Sequence, residues 1–308
     1  MSAPSTPLLS VVVPAYNDAA ILRHTLVRLA DQSLAPVAYE VVVVDDGSTD
    51  ETPAVIAAAA AGRVQVRGVS LDRNRGRSAA RNAGIRAARA PLIVFVDSDV
   101  LVRPDFLRRH LELHRNAGRP VVGRGPVVSV PTADLPARDP VARLSPAYLD
   151  TANASIPRQT IVDVGMFDEG FRVYGWEDFD LGLRLQARGL PRVFDHGAIG
   201  FHVQPVPTID TLDRHLVKEE ERARTALYLL RKHPGNQTRW LIQDTPVQRF
   251  AHFLLSGGGL LTATNAPRLA RWLSARGQYG LAGLVIRGVL NRHYLHSLDR
   301  FRMAPEGR

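Results

Sequence analysis

The sequence predicts an α/β protein: a doubly wound parallel sheet followed by a C-terminal helical extension. Three observations predict it. Short apolar, β-branched runs recur at Leu8–Val13, Glu40–Val44, Val64–Val69 and Leu92–Val96. Helix-period stretches separate them, the spacing of parallel βαβ units. Beyond Pro205 the alternation stops and helical periodicity takes over.

Leu8–Val13 reads as a buried strand ended by Pro14. Asp18 can cap a helix over about Ala19–Asp31, whose Ile21, Leu22, Leu26 and Leu29 share a face. The second strand, Glu40–Val44, empties into the turn Asp45-Asp46-Gly47-Ser48, and Asp50 can cap a helix to about Ala61. Val64–Val69, a helix over Gly76–Ala90 and the strand Leu92–Val96 follow, then a helix with Pro104 in its first turn. Val121–Pro140 is rich in Pro, Gly and Val and reads as a strand plus a mobile loop. Short strands near Ala152–Pro157 and Ile199–Val203 flank a helix over Glu177–Arg188, stopped by Gly189 and Pro191. The C-terminal third gives helices at Thr211–Arg231, Val247–Leu261 (interrupted by three glycines) and Leu269–Leu290.

Composition excludes several classes. With 308 residues, 45% hydrophobic and 22% charged, the chain is neither disordered nor fibrous. It has no cysteine, which removes disulfides, thiolate zinc sites and cysteine nucleophiles. Met1–Ser10 lacks a basic region followed by an apolar one, and no stretch of about 18 uncharged apolar residues occurs. The expected location is therefore cytoplasmic, with peripheral membrane attachment as an option. The net charge is +9, and Pro205–Arg308 carries most of it, with 16 lysines and arginines against 8 acidic residues. That excess suits an anionic partner. No nucleic-acid-binding motif accompanies it, so nucleic acid is not expected.

In open α/β sheets, ligands sit at the carboxyl ends of the strands. Three polar clusters fall there: Ala15-Tyr16-Asn17, Asp45-Asp46-Gly47 and Asp97-Ser98-Asp99. Alternate carboxylates such as Asp97 and Asp99 can share one hard cation, Mg²⁺ or Mn²⁺, which can also hold a diphosphate. The same residue types also serve as turns and helix caps. Their position directly after Leu92-Ile93-Val94-Phe95-Val96 favours the ligand role.

Four ordered blocks, Val11 to Asn17, Val44 to Asp50, Asn74 to Gly84 and Asp97 to Asp99, resemble the signatures of family 2 glycosyltransferases. A fifth, Gly175-Trp176-Glu177-Asp178-Phe179-Asp180-Leu181-Gly182-Leu183-Arg184-Leu185, resembles that family's acceptor-side motif. The resemblance implies a GT-A fold over residues 1–204. It would join a Rossmann-like nucleotide-binding sheet (about 8–116) to an acceptor-binding subdomain (about 117–204), with 205–308 as the helical extension. It also implies inversion at the anomeric carbon and a nucleotide diphosphate sugar donor, UDP-type favoured.

On that resemblance, Pro14, Ala15, Tyr16 and Asn17 would line the base and ribose pocket, with Tyr16 stacking. Asp46, with Asp45 as second candidate, would accept from a pyrimidine N–H. Gly76 would let the backbone approach the donor. Arg77 and Arg81, four apart on one helix face, have the planar fork that suits diphosphate or carboxylate contacts, and the resemblance puts Arg77 or its neighbour near the donor. Asp97, Ser98 and Asp99 would hold donor and metal, with His202 as a third metal ligand and His196 its runner-up. Asp178 would be the catalytic base, Glu177 would orient acceptor or base, and Trp176 would either stack on the acceptor sugar or pack within the protein. The acceptor is expected to be a glycan, a lipid-linked or a small-molecule hydroxyl. The basic, apolar C-terminal helices suit a membrane contact, core packing or a partner subunit.

Two alternatives stand beside this reading. A sugar nucleotidyltransferase needs a glycine-rich phosphate loop after the first strand, and Pro14-Ala15-Tyr16-Asn17-Asp18 offers none. A catalytically decayed glycan- or nucleotide-binding module would not need the intact Asp97, Asp99, Glu177 and Asp178.

Overall fold

The computed structural model describes residues 6–62, 64–138, 145, 147–204 and 211–303. The chain divides into two compact units, Met1–Arg172 with Glu177–Pro205, and Val173–Trp176 with Val206–Arg308.

In chain order the first unit holds β1 (Leu9–Ala15), α1 (Ala19–Ala30), β2 (Tyr39–Asp45), α2 (Thr52–Ala60), β3 (Gln65–Ser70), α3 (Arg77–Ala87), β4 (Leu92–Phe95), β5 (Val100–Val102), α4 (Phe106–Ala117), β6 (Val122–Arg124), β7 (Val127–Val130), β8 (Ala154–Pro157), α5 (Arg158–Asp163), α6 (Glu177–Ala187), β9 (Arg192–Phe194) and β10 (Gly200–Val203). Every residue of β1 and β2 is buried, as expected of central strands covered on both faces. One apolar cluster, including Val11, Val13, Leu22, Val41 and Leu107, fills one side of the sheet. Val12, Ile85, Ile93, Phe95 and Leu181 anchor a second cluster.

The main sheet has the order β3-β2-β1-β4-β8-β6-β9. Strands β3, β2, β1 and β4 are parallel, but β8 runs antiparallel to both β4 and β6. The expected all-parallel sheet is therefore mixed. The reversal has a consequence for the site: Phe95 pairs with Ala154, so the start of β8 lies at the carboxyl end of β4. A second sheet, β5-β10-β7, pairs β10 antiparallel to β5 and parallel to β7.

Local expectations need four corrections. Asp18 occupies the N-cap position of α1 but makes no side-chain capping bond; the Ala19 N–H donates to Asp50 Oδ2 (3.1 Å), and Asp50 Oδ1 accepts from Thr52 N–H (2.9 Å). Pro104 precedes α4 rather than opening it. The segment from Val121 forms two short strands, β6 and β7, and Asp139–Pro140 lie outside the described residues. The stretch Leu269–Leu290 is two helices, because Gly277 turns the chain at φ +74°.

The second unit contains α7 (Leu212–Lys232), α8 (Asn236–Leu241), α9 (Pro246–Leu255), α10 (Ala266–Ala275) and α11 (Tyr279–Met303). α9 stops before three successive glycines with φ between +63° and +87°, a left-handed turn that side chains disfavour. Leu212, Ala270, Leu273, Ile286 and Leu290 form its apolar centre.

Candidate active site

Residues 97–99 link the two sheets, between the end of β4 and the start of β5. Because β5 pairs with β10, the Val203 N–H donates to the Asp99 carbonyl (2.8 Å). That ladder sets His202 Nε2 3.0 Å from Asp99 Oδ2, across 103 residues of sequence. Burial opposes a charged His202 ring, but Asp99, Asp97 and Asp150 together hold its pKa above the ordinary value. His196, the alternative ligand, lies exposed on the turn between β9 and β10.

Arg81 does not present itself to a ligand. It is 2% exposed and bridges two acidic residues, donating to Asp97 Oδ1 (2.8 Å) and Glu177 Oε1 (2.9 Å). Its guanidinium carbon also lies 5.6 Å from the centroid of Phe167. Burial works against ionisation of Asp97, but Arg81 and Arg77 outweigh it and keep the carboxyl below the usual range. Arg77 itself is exposed at the first position of α3. The helix thus divides its two arginines: one inside as a strut, one at the surface.

Asp178 is half-buried at the start of α6, where Phe179 N–H donates to its Oδ1 (2.8 Å). Burial, then the charges of Glu177 and Asp150, push its pKa well above that of an ordinary carboxyl. A raised pKa makes the ionised carboxylate a stronger proton acceptor, the property a general base requires.

Asp150 was not singled out from the sequence. It stands just before β8, and the reversed direction of that strand carries it to the carboxyl edge of β4. Arg124, 1% exposed, reaches it from β6 (3.4 Å) and also donates to the Ala147 carbonyl. Burial raises the Asp150 pKa, against the pull of Arg124. An acidic residue preceding a strand at that edge was the available signal, usable only once the strand's direction is known.

On the donor side several expected ligands are already engaged. Asp46 is 4% exposed and accepts the Arg75 N–H at Oδ1 (2.7 Å) and the Gly76 N–H at Oδ2 (2.9 Å). Burial raises its pKa, and those two amides oppose the rise. Asp45, equally buried, accepts the Ser48 N–H (2.9 Å). Both carboxylates therefore hold loops, each with acceptor capacity beyond these bonds. A Cβ on Gly47, which sits at φ +73°, would lie 2.5 Å from the Arg73 carbonyl carbon. At Gly76 (φ +89°) a Cβ would lie 3.0 Å from the Arg172 carbonyl oxygen. Ser98 donates to Asp18 Oδ2 (2.6 Å) and its carbonyl accepts from Thr25 Oγ1 (2.7 Å), so it braces the loop.

Pro14 is buried inside β1, and the Ala15 carbonyl accepts the Asp46 N–H (2.9 Å). Asn17, at φ +52°, accepts the Thr49 N–H (2.8 Å). Tyr16 remains, 42% exposed, as the open ring of this block.

Trp176 belongs to the second unit. It is 6% exposed, its indole N–H donates to the Arg222 carbonyl (2.8 Å), and the Arg222 guanidinium lies 5.4 Å from its ring centroid. It packs, and does not offer the open face expected of a sugar platform.

Comparison with known proteins agrees with the first four blocks read from the sequence; the fifth, Gly175–Leu185, lies beyond the matched residues. The model of the family described as glycosyl transferase family 2 matches residues 10–167. Validoxylamine A glucosyltransferase of Streptomyces hygroscopicus subsp. limoneus is 32% identical over 267 residues, covering 74% of this chain and 57% of the relative. Succinoglycan biosynthesis protein ExoO of Rhizobium meliloti is 51% identical over 114 residues, 36% of this chain and 31% of the relative. The chain thus spans little more than half the length of the validoxylamine A enzyme. Among solved structures, the mannosyltransferase PcManGT from Pyrobaculum calidifontis, in complex with GDP-Man and Mn²⁺, aligns with a TM-score of 0.59 at 20% identity, covering 93% of this chain and 88% of that one. S. aureus TarS 1-349 in complex with UDP aligns with a TM-score of 0.54 at 18% identity, covering 97% and 93%. The fold is the GT-A fold, and the chain belongs to glycosyl transferase family 2.

Proposed function

We propose that this chain transfers a glycosyl group from a nucleoside diphosphate sugar to a hydroxyl acceptor, with inversion. The buried Arg81 bridge carries the proposal. It ties Asp97, at the strand end where a donor would bind, to Glu177, the neighbour of Asp178. Donor-side and acceptor-side carboxylates are thereby held in one rigid arrangement, as a displacement reaction needs.

Tyr16 and Arg77 are the exposed groups that would meet the donor, through ring stacking and charge. The residues also fit a divalent cation. Asp99 and His202 stand at ligand spacing, and Asp97 has a second oxygen beyond the one Arg81 holds. No group of three acidic or imidazole side chains converges among the described residues, so diphosphate oxygens and water would complete the shell. A bound Mn²⁺ or Mg²⁺ would neutralise charge growing on the departing diphosphate.

Asp178 takes the proton of the acceptor hydroxyl as its oxygen attacks the anomeric carbon. The bond to the diphosphate breaks on the opposite face and its electron pair leaves with the nucleoside diphosphate. Glu177 acts as a positioning residue, since Arg81 holds its carboxylate. UDP preference rested on Asp46 accepting from the base, and both of its oxygens already accept loop amides. The donor is therefore assigned as a nucleoside diphosphate sugar of undefined base. The acceptor is assigned as a hydroxyl of a glycan, a lipid-linked sugar or a small molecule.

The test is Asp178→Asn, with donor binding and transfer measured separately. Binding should persist and transfer should be lost. Full activity in this variant would remove Asp178 from the reaction. A thermal-shift series of nucleotide sugars, with and without Mn²⁺, identifies the donor, because stabilisation follows occupancy of the folded state.

A further inference from the structure

The second unit carries a surface formed by residues outside those of the candidate active site. From Thr245 to Leu298 the chain has six arginines and no acidic residue. The same 54 residues hold eleven of the 21 exposed large hydrophobic side chains among the described residues. So much exposed apolar area in one short stretch marks a contact surface.

The helices arrange these groups amphipathically. On α9, Val247, Phe250 and Leu254 are each at least 58% exposed and share one face, at spacings of three and four. The opposite side of α9 packs on α11, where Arg249 reaches Asp299 (2.7 Å) and a Cβ on Gly288 would lie 2.6 Å from the Leu255 carbonyl oxygen. On α10, Ala266, Ala270 and Leu273 point inward while Leu269 and Trp272 stand open. Arg268, Arg271, Arg276 and Arg287 are exposed and have no carboxylate partner among the described residues. Arg276 lies 3.7 Å from the Trp272 ring centroid, the pairing of cation and indole common where apolar and wet layers meet. A cavity of about 220 Å³ is lined by Leu261, Val289, Arg292, His293 and His296, with Arg292 donating to the Gly259 and Leu261 carbonyls.

We propose that α9, α10 and the start of α11 seat this protein on an anionic lipid bilayer, lying in the plane of the interface. Charge complementarity selects this occupant: Arg268, Arg271, Arg276 and Arg287, without carboxylate partners among the described residues and beside open aromatic and leucine side chains, match a negatively charged surface with an apolar interior. No helix among the described residues is long and apolar enough to cross a membrane, so contact is in-plane.

Co-sedimentation of the full chain with phosphatidylcholine vesicles, with and without phosphatidylglycerol, tests this. Binding should appear with phosphatidylglycerol, fall with added salt and be weak on phosphatidylcholine alone. Arg268→Gln, Arg271→Gln and Arg276→Gln combined should weaken it by roughly fivefold per arginine, on the order of a hundredfold together. Phe250→Ser with Leu254→Ser should abolish it. Both variants alter exposed side chains, and hydrolysis of a nucleotide sugar reports whether each remains folded and active; the arginine variant alone suffices if the other does not fold. The proposal is overturned if anionic vesicles bind no better than neutral ones. It is also overturned if the unliganded chain forms a dimer that these variants dissociate, with no vesicle binding, which would make the face a contact between copies.

Discussion

Replacing Arg81 with Met keeps much of the side chain's volume and removes its charge, leaving Asp97 and Glu177 without their shared cation. The structure sets the scale. Arg81 and Glu177 are 2% and 6% exposed, and the two donor–acceptor distances are 2.9 and 2.8 Å, so both contacts are charge-assisted and at least one is fully desolvated. Removing one partner from a buried ion pair costs about 3–5 kcal/mol, because the remaining charge is stranded. For a unit of this size, about 2–4 °C of melting temperature per kcal/mol gives a drop of roughly 6–20 °C. Urea unfolding and thermal melts at neutral pH would measure it. Arg81→Lys should be intermediate, since an ammonium keeps the charge but lacks the planar fork that spans two carboxylates. Adding Glu177→Gln to Arg81→Met should restore part of the loss, because one stranded charge disappears. A loss below about 1 kcal/mol for Arg81→Met, or no recovery in the double variant, would refute the strut.

Other outcomes follow from the same geometry. Asp178 has a folded-state pKa above its unfolded value, so its contribution to stability is present at acid pH and lost as pH rises through that raised pKa. Asp178→Asn should therefore melt higher than wild type at neutral pH, with the gap closing towards pH ~4 at up to about 1.4 kcal/mol per pH unit. Transfer by the wild type should rise with pH through the same raised pKa, visible in a rate–pH profile; a rise centred in the ordinary carboxylate range would exclude Asp178 as the base. His202→Ala should weaken Mn²⁺ binding in the presence of nucleoside diphosphate by at least about tenfold, read by calorimetry. Gly47→Ala forces a Cβ into the Arg73 backbone at positive φ, and should lower stability by more than about 1 kcal/mol in urea unfolding.

The sequence by itself determined the strand–helix alternation, the helical final third and the polar clusters at strand ends. Apolar periodicity and β-branched runs act locally, and β1, β2 and β4 are buried along their whole length as their composition demands. It also put forward Asp97, Asp99, Asp178 and His202, the side chains on which the proposed reaction rests. What each side chain touches was decided by tertiary packing. Asp46, Ser98 and Arg81 have the chemistry of ligands, yet loop amides, Asp18 and a pair of carboxylates occupy them. Trp176 reads as a sugar platform and is packed under Arg222. Asp150 enters the site only because β8 runs backwards, and strand direction comes from pairing across the sheet. A residue's type records what it can bind; only the fold, which fills hydrogen-bonding capacity from residues distant in sequence, settles which of that capacity is left for a ligand.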